Sequence, residues 1–281
     1  MIQFRDVTKV YRKTGTALEA LDLSFDEGEF AFITGPSGAG KTTLLKLLYA
    51  AERPSSGEVL IEGRAISRLH PRSVPWLRRN MGVVIQDFRL LPRRTVAENV
   101  ALALEVCGLK QADIQQRVHA ALDRVGLRDM ANRLPTELSG GEQQRTAIAR
   151  AIVNEPSIIL ADEPTGNLDQ ELSFDIMGLL VDLCHEKRAT ILVATHDRNQ
   201  LDAWNVREVQ LADGRLVGDV LADEKANGSN RRPTTEVEQA EADEQPQAQG
   251  DCIANQEERP DSRPEDEDWQ AQEDPGEEAS I

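Results

Sequence analysis

The spacing of apolar positions changes several times along the chain, and each change marks an element. Ile2 and Phe4 alternate with polar neighbours, and Leu21, Leu23 and Phe25 repeat that alternation before a turn at Asp26-Glu27-Gly28-Glu29, the pattern of half-buried strands in a small antiparallel sheet. Phe30 to Thr34, Gly82 to Ile85, Ser157 to Ala161 and Ala189 to Thr195 are short runs with little polar interruption, as in strands covered on both faces in a mixed or parallel sheet. Glu58 to Gly63 supplies another strand after the break at Pro54-Ser55-Ser56-Gly57. Pro71 and Pro75 fence off an irregular basic segment with Arg72, Arg78 and Arg79.

Helical spacing occupies the gaps. Thr43 to Leu48 reads as the first turns of a helix, and Thr95 with Glu98 forms a capping box leading into Val100, Leu102 and Leu104. Ile114, Val118, Ala121, Leu122 and Val125 share one helical face that Gly126 ends, and Gln143 to Val153 turns Ala147, Ile148, Ala151 and Ile152 inward. Residues 87 to 135 therefore form a helical insert that breaks a plain βαβ rhythm. The expected fold is α/β, with a mixed or parallel sheet core, an N-terminal antiparallel β subdomain, and an α-helical subdomain over about 87–150 within a domain of residues 1–221.

Chemistry enters between the strand at Phe30 and the helix at Thr43. There the chain reads Gly35-Pro36-Ser37-Gly38-Ala39-Gly40-Lys41-Thr42, followed by Thr43, which is the spacing and the strand-loop-helix context of a phosphate-binding loop. Glycines let the backbone aim several N–H groups inward, and the helix start adds the positive end of its dipole. Lys41 is placed to reach β- and γ-phosphates, and the Thr42 hydroxyl to ligate Mg²⁺. A second stretch, Leu138-Ser139-Gly140-Gly141-Glu142-Gln143-Gln144-Arg145, offers Ser139 as an N-cap and two glycines at another helix start suited to an anion. The strand at Ser157 ends in Asp162, fit to hold Mg²⁺, and Glu163, fit to take a proton from an attacking water. Asn167-Leu168-Asp169 follows in a turn, and His196 ends a strand at the same expected edge as Gln86 and Asp162. Gln86 is a Mg²⁺ ligand or water-orienting amide, or one of the many glutamines at strand ends. Tyr11, expected between the first strands, is a purine-stacking ring or an ordinary sheet-edge tyrosine. His70, His119 and His185 read as solvated.

Charge then divides the chain. The 281 residues carry a formal net charge of −17, of which −14 falls in residues 222–281, with 19 acidic and 5 basic side chains there. Val237, Ile253, Trp269 and Ile281 are the large apolar residues of that stretch, so the expectation is a disordered acidic tail. Such acidity argues against nucleic acid as a partner. Cys107, Cys184 and Cys252 show no zinc or disulfide spacing, which fits a reducing cytoplasm. No run approaches 18 apolar residues, so the chain is expected to be neither exported nor membrane-spanning.

Taken together, these motifs resemble the ATP-binding cassette ATPases over residues 1 to about 221. The resemblance implies ATP and Mg²⁺ as cofactors and a P-loop NTPase core. It makes Tyr11 the adenine-stacking ring, Gln86 the residue of the Q-loop, and residues 138–145 the signature motif. Asp162 becomes the metal-site aspartate, Glu163 the catalytic base, Asp169 part of the D-loop and His196 the switch histidine. It further implies a head-to-tail homodimer in which Ser139, Gly140, Gly141 and Gln143 of one chain contact ATP held by the other. The stretches at 35–48, 84–108, 138–152 and 160–169 are similar to the FtsE family of bacterial cell-division ATPases, with Asp87-Phe88-Arg89-Leu90-Leu91 tipping the comparison that way. That similarity implies an FtsX-like integral membrane partner that regulates peptidoglycan hydrolysis. It also implies membrane association through the partner only, on the cytoplasmic face of the inner membrane at the division site. Phe88, Arg89, Leu90 and Leu91 are the residues expected to dock the partner. Lipoprotein-release and macrolide-export ATPases share most of these motifs, a low-turnover nucleotide-gated scaffold is a further alternative, and a DNA-repair ATPase would carry a coiled-coil insertion that this chain lacks.

Overall fold

The computed structural model describes residues 1–166, 168–197 and 203–221. Asn167, Cys252 and the whole of the expected acidic tail lie outside the described residues. Among the described residues ten strands and six α-helices follow in order: β1 (Ile2–Tyr11), β2 (Gly15–Phe25), β3 (Phe30–Thr34), α1 (Lys41–Leu48), β4 (Ser56–Ile61), β5 (Arg64–Ala65), α2 (Val74–Arg79) and β6 (Met81–Ile85), then α3 (Val96–Cys107), α4 (Gln111–Arg124), α5 (Gly140–Ile152), β7 (Ile158–Asp162), α6 (Gln170–Lys187), β8 (Thr190–Ala194), β9 (Arg207–Ala212) and β10 (Arg215–Val220). The basic segment expected to be irregular is partly helical, because α2 occupies Val74 to Arg79 with Pro75 in its first turn, where no N–H is missed.

Two sheets form. One has four strands in the order β2-β1-β4-β5, each neighbouring pair antiparallel, as the alternation in the first 25 residues predicts. The other has six strands in the order β10-β9-β3-β8-β7-β6, parallel throughout except for the antiparallel β9–β10 pair. Strand periodicity sorts the central side chains between two cores. Phe32, Ile159, Ala161, Ile191 and Val193 join Leu104, Leu122, Ile148 and Leu180 from the helices on one face. Ile33, Ile158, Leu160 and Leu192 join Leu44 and Leu48 of α1 with Ile2, Phe4 and Phe25 of the smaller sheet on the other. This double covering is why these strands carry continuous apolar runs.

Helix ends follow their local chemistry. Thr95 accepts from the Glu98 N–H while Glu98 accepts from the Thr95 N–H at 2.7 Å, the capping box that the sequence predicts. On α4, Ile114, Val118, Ala121 and Leu122 are buried, with Val125 beyond the last turn. His70, His119 and His185 are all exposed. Cys107 and Cys184 are free thiols. Among the described residues no helix is long and apolar enough to cross a membrane.

Candidate active site

Parallel register builds the site. Ile85 pairs with Asp162, Asp162 with Ala194, and Ala194 with Ile33, so one row of backbone positions crosses the ends of β6, β7, β8 and β3. The residues following that row, Gln86, Glu163, Thr195 and Thr34, with Gly35 next after Thr34, therefore lie at one edge of the sheet, where open α/β sheets bind ligands. A cavity of about 590 Å³ lies there, lined by Pro36 to Thr43, Gln86, Asp162, Glu163 and His196.

The loop from Gly35 to Gly40 is shaped by what packs behind it. Gly35 has φ 143°, and a Cβ on it would lie 2.1 Å from the Leu211 carbonyl oxygen of β9. Gly40, at φ 103°, would meet the Ala17 carbonyl of β2 at 2.5 Å. Lys41 opens α1 and is 8% exposed; its Nζ donates to the carbonyls of Gly35 at 2.7 Å and Pro36 at 3.1 Å, which folds the ammonium over the loop. The Thr42 hydroxyl donates to Asp162 Oδ1 at 3.1 Å. Burial pushes the Asp162 carboxyl above its ordinary range, against the Thr42 hydrogen bond that lowers it, and the adjacent Glu163 carboxylate adds to the rise.

Glu163 has a left-handed backbone, φ 47°, uncommon for a residue with a Cβ. Its N–H donates to the Ala194 carbonyl at 2.9 Å, and its Oε1 lies 2.7 Å from His196 Nδ1. The Glu163 side chain is 16% exposed and that of His196 69%, so the histidine covers the carboxylate from the solvent side. Gln86 is exposed, with its Nε2 3.3 Å from where a Cβ on Gly166 would sit. Gly166 was not among the sequence candidates; this contact and its N–H, which donates to the Glu163 carbonyl at 3.2 Å, place it beside the site.

Other expected site residues stand apart from this cavity. Tyr11 is not between the strands but ends β1 opposite Gly15, with Lys9 Nζ 4.8 Å from its ring centroid; Ala17, not Tyr11, lines the cavity wall. Ser139 caps α5, but the anion at that helix start is the chain's own Glu142. Its Oε2 accepts from the Ser139 N–H at 2.7 Å and hydroxyl at 2.8 Å, and those bonds hold its carboxyl below the usual range. The glycine pair also has a packing cause. A Cβ on Gly141 would lie 2.1 Å from Leu172 Cδ2 of α6, whereas one on Gly140 would only touch Leu168 at 3.8 Å. Gln143 turns back to donate to the Leu138 carbonyl at 3.1 Å, and Asp169 caps α6 by accepting from the Leu172 N–H at 2.9 Å.

The stretch from Phe88 to Leu91 is a loop, with Phe88 and Leu90 half-buried, Arg89 exposed and Leu91 38% exposed, so none of the three apolar residues is core. Two polar side chains missed in the sequence pin it. Arg150 donates to the Phe88 and Arg89 carbonyls at 2.7 and 2.8 Å. Asn99, fully buried, accepts from the Leu91 N–H at 2.7 Å and donates to the carbonyls of Leu91, Arg94 and Thr95. Among the described residues no cluster of three or more His, Cys, Asp or Glu could hold a metal by itself.

Comparison with known proteins agrees with this geometry. Residues 18–166 match the family described as ABC transporter. Over 220 residues the chain is 51% identical to the cell division ATP-binding protein FtsE of Mycobacterium tuberculosis and 50% identical to that of Escherichia coli K12, covering 78% of this chain and 95% and 99% of those proteins. The FtsE protein of Bacillus subtilis is 42% identical over 219 residues, again 78% of this chain and 96% of that one. A bacterial ABC transporter cassette solved as a dimer superposes with a TM-score of 0.73 at 38% identity, covering 79% of this chain and 99% of its own. The same cassette in a dimeric post-hydrolysis state bound to ADP and Pi gives the same figures, a TM-score of 0.73 at 38% identity with 79% and 99% coverage. The chain belongs to the ABC transporter family of ATP-binding cassettes, and within it to the family of FtsE cell-division ATP-binding proteins.

Proposed function

We propose that this chain is the ATP-hydrolysing subunit of an FtsE–FtsX-type cell-division complex, working as a homodimer with two ATP sites. In this reading an FtsX-like membrane protein holds it at the cytoplasmic face of the inner membrane, at the division site, and passes its ATP-driven closure on to the control of peptidoglycan hydrolysis. The observation that carries the proposal is the convergence of Lys41, Thr42, Gln86, Asp162, Glu163 and His196 on one cavity at the C-terminal edge of the parallel sheet.

Gly35 to Thr43 cradles the triphosphate through backbone N–H groups and the α1 dipole, with Lys41 on the β- and γ-phosphates. Tyr11 stacks on the adenine. The Thr42–Asp162 pair, with Gln86 opposite, fits Mg²⁺, which takes one or two carboxylates and completes its shell with phosphate and water. Burial of Asp162 supports this, since a carboxylate that pays for desolvation gains from a cation. Bound there, the ion neutralises charge on the phosphates. Glu163 takes the proton of the attacking water, with His196 orienting its carboxylate. Ser139, Gly140, Gly141 and Gln143 approach the ATP held by the partner copy, and Asp169 serves at the same seam.

Docking to the membrane partner is assigned to Phe88, Arg89, Leu90 and Leu91, whose half-buried and exposed apolar side chains sit on a loop held rigid by Asn99 and Arg150. Residues 1–221 form the cassette, and the acidic residues 222–281 are an addition to it; the M. tuberculosis and E. coli relatives are matched over 95% and 99% of their length by 220 residues of this chain. Purified chain, alone and reconstituted with its co-purifying membrane protein, tests the proposal by phosphate release and by identification of the partner. An FtsX-like partner and Mg²⁺-dependent hydrolysis are expected. A lipoprotein-release or export permease in its place, or no hydrolysis, overturns it.

A further inference from the structure

The N-terminal half of α5 lies on the segment that carries Glu163. Gly140, Gly141 and Gln144 occupy one helical face. They meet, respectively, Leu168, Leu172 and Pro164, all within ten residues of Glu163. Gln144 is fully buried, and its Nε2 donates to the carbonyl of Pro164, the residue directly after Glu163. Its Oε1 is buried with no hydrogen-bond partner among the described residues, so the side chain is held in place by what it donates and not by a satisfied network. A buried polar group left half-satisfied in a native core calls for a reason beyond packing.

Glu163 supplies one. Its backbone is left-handed at φ 47°, a conformation that persists in a non-glycine residue only where the surroundings over-determine it. Three restraints do so here. The Glu163 N–H is tied to the Ala194 carbonyl of β8 at 2.9 Å, its own carbonyl accepts from the Gly166 N–H at 3.2 Å, and the peptide unit joining residues 164 and 165 is anchored through the Pro164 carbonyl to Gln144. Proline has no N–H to offer, so the carbonyl that Gln144 holds is the one backbone hydrogen-bonding group that residue 164 has.

We infer that Gln144 is a positioning residue for Glu163: by holding the Pro164 carbonyl it keeps Glu163 left-handed and its carboxylate at His196, and it ties that carboxylate to the helix that begins at Ser139. The inference rests on Glu163 acting as the general base. Because Ser139 to Gly141 and Gln144 belong to one rigid helix, whatever engages the start of α5 is felt at the Glu163 turn of the same chain.

Gln144→Met tests it. Methionine matches the length and volume of glutamine and removes the donor together with the unpaired acceptor, so the melting temperature should stay within about 2 °C and nucleotide affinity within about twofold. ATP hydrolysis should fall by roughly 10-fold to 100-fold in kcat, the size of loss that a displacement of about 1 Å at a reacting group produces. In a Glu163→Gln background the same substitution should change the residual rate by less than about twofold, since a residue acting through Glu163 has nothing left to position. Wild-type turnover in Gln144→Met, or a loss that multiplies in full onto Glu163→Gln, overturns the inference. Gln144→Leu serves as the second variant, and if neither folds, Gln144 is a structural residue and the inference falls. Failure of the underlying reading looks different: there the wild-type chain does not hydrolyse ATP, or Glu163→Gln hydrolyses it normally.

Discussion

Replacing Glu163 by glutamine removes one thing, the basic oxygen, and leaves nearly everything else in place. The side chain is 16% exposed and faces His196 Nδ1 at 2.7 Å across a contact that a glutamine carbonyl oxygen can also accept. The backbone at φ 47° is set by Ala194, Gly166 and Gln144 rather than by the carboxylate, so the variant should fold as the wild type does. Loss of a positioned general base costs typically ~10²–10⁴ in rate. At about 1.4 kcal/mol per decade, that corresponds to roughly 3–5 kcal/mol of transition-state stabilisation. Lys41, Thr42 and the loop N–H groups are untouched, so ATP should bind with near wild-type affinity, and the bound homodimer should accumulate instead of turning over. Phosphate release under saturating Mg²⁺-ATP measures the first effect, and size-exclusion chromatography with and without ATP the second. A rate within about threefold of wild type refutes the assignment of Glu163. Loss of ATP binding refutes the claim that the carboxylate acts only in the chemical step.

Lys41→Ala removes the ammonium from the loop carbonyls and from the phosphates together, and should weaken ATP binding itself by at least tenfold in equilibrium titration; unchanged affinity would separate Lys41 from the phosphates. Asp162 carries a carboxyl raised by burial, and a raised acid contributes stability at low pH that is lost as the pH climbs through its folded value, so Asp162→Asn should melt higher than wild type at pH 7 without divalent cation. That gain should shrink as the pH is lowered into the carboxylate range, and added Mg²⁺ with nucleotide should stabilise the wild type more than the variant; equal melting at every pH contradicts it. The double substitution Arg89→Glu with Leu90→Ser changes an exposed and a half-buried side chain on a loop whose anchors, Asn99 and Arg150, grip backbone atoms. It should keep fold and ATP binding but lose co-purification with the membrane partner and septal localisation, and undiminished co-purification would move the docking surface elsewhere.

Local chemistry made part of this protein readable in one dimension. The phosphate loop is recognisable because Gly35 to Thr42 must wind within eight residues between a strand and a helix. The capping box at Thr95 closes within four residues, Ser139 stands as an N-cap directly before its helix, and the buried strands announce themselves by having no polar face. The same signals were present for two elements that were passed over. Ile176, Leu180, Leu183 and Cys184 have helical spacing along α6, and Arg207 to Leu211 alternates ahead of the Asp213-Gly214 turn into β10.

What the tertiary structure alone decided is who faces whom. Periodicity states that a side is buried but not what covers it, and strand order and parallel register depend on pairings between residues far apart in the chain, such as Phe30 with Ile191 and Ile85 with Asp162. Only the pairing of Ile85 with Asp162, and of Asp162 with Ala194, sets Gln86 and His196 around the same cavity as Lys41. Gly35 needs its missing Cβ because β9 runs behind it, and Gly141 because Leu172 does, reasons that no local pattern contains. At the start of α5 the Ser139 N–H and hydroxyl are engaged by Glu142, and Asp169 caps α6 by accepting from the Leu172 N–H, partners that show only in the folded geometry. Gln144 looked like one more polar residue on a helix; its burial and its hold on Pro164 exist only once α5 has been laid against the end of β7, a contact between residues 20 positions apart.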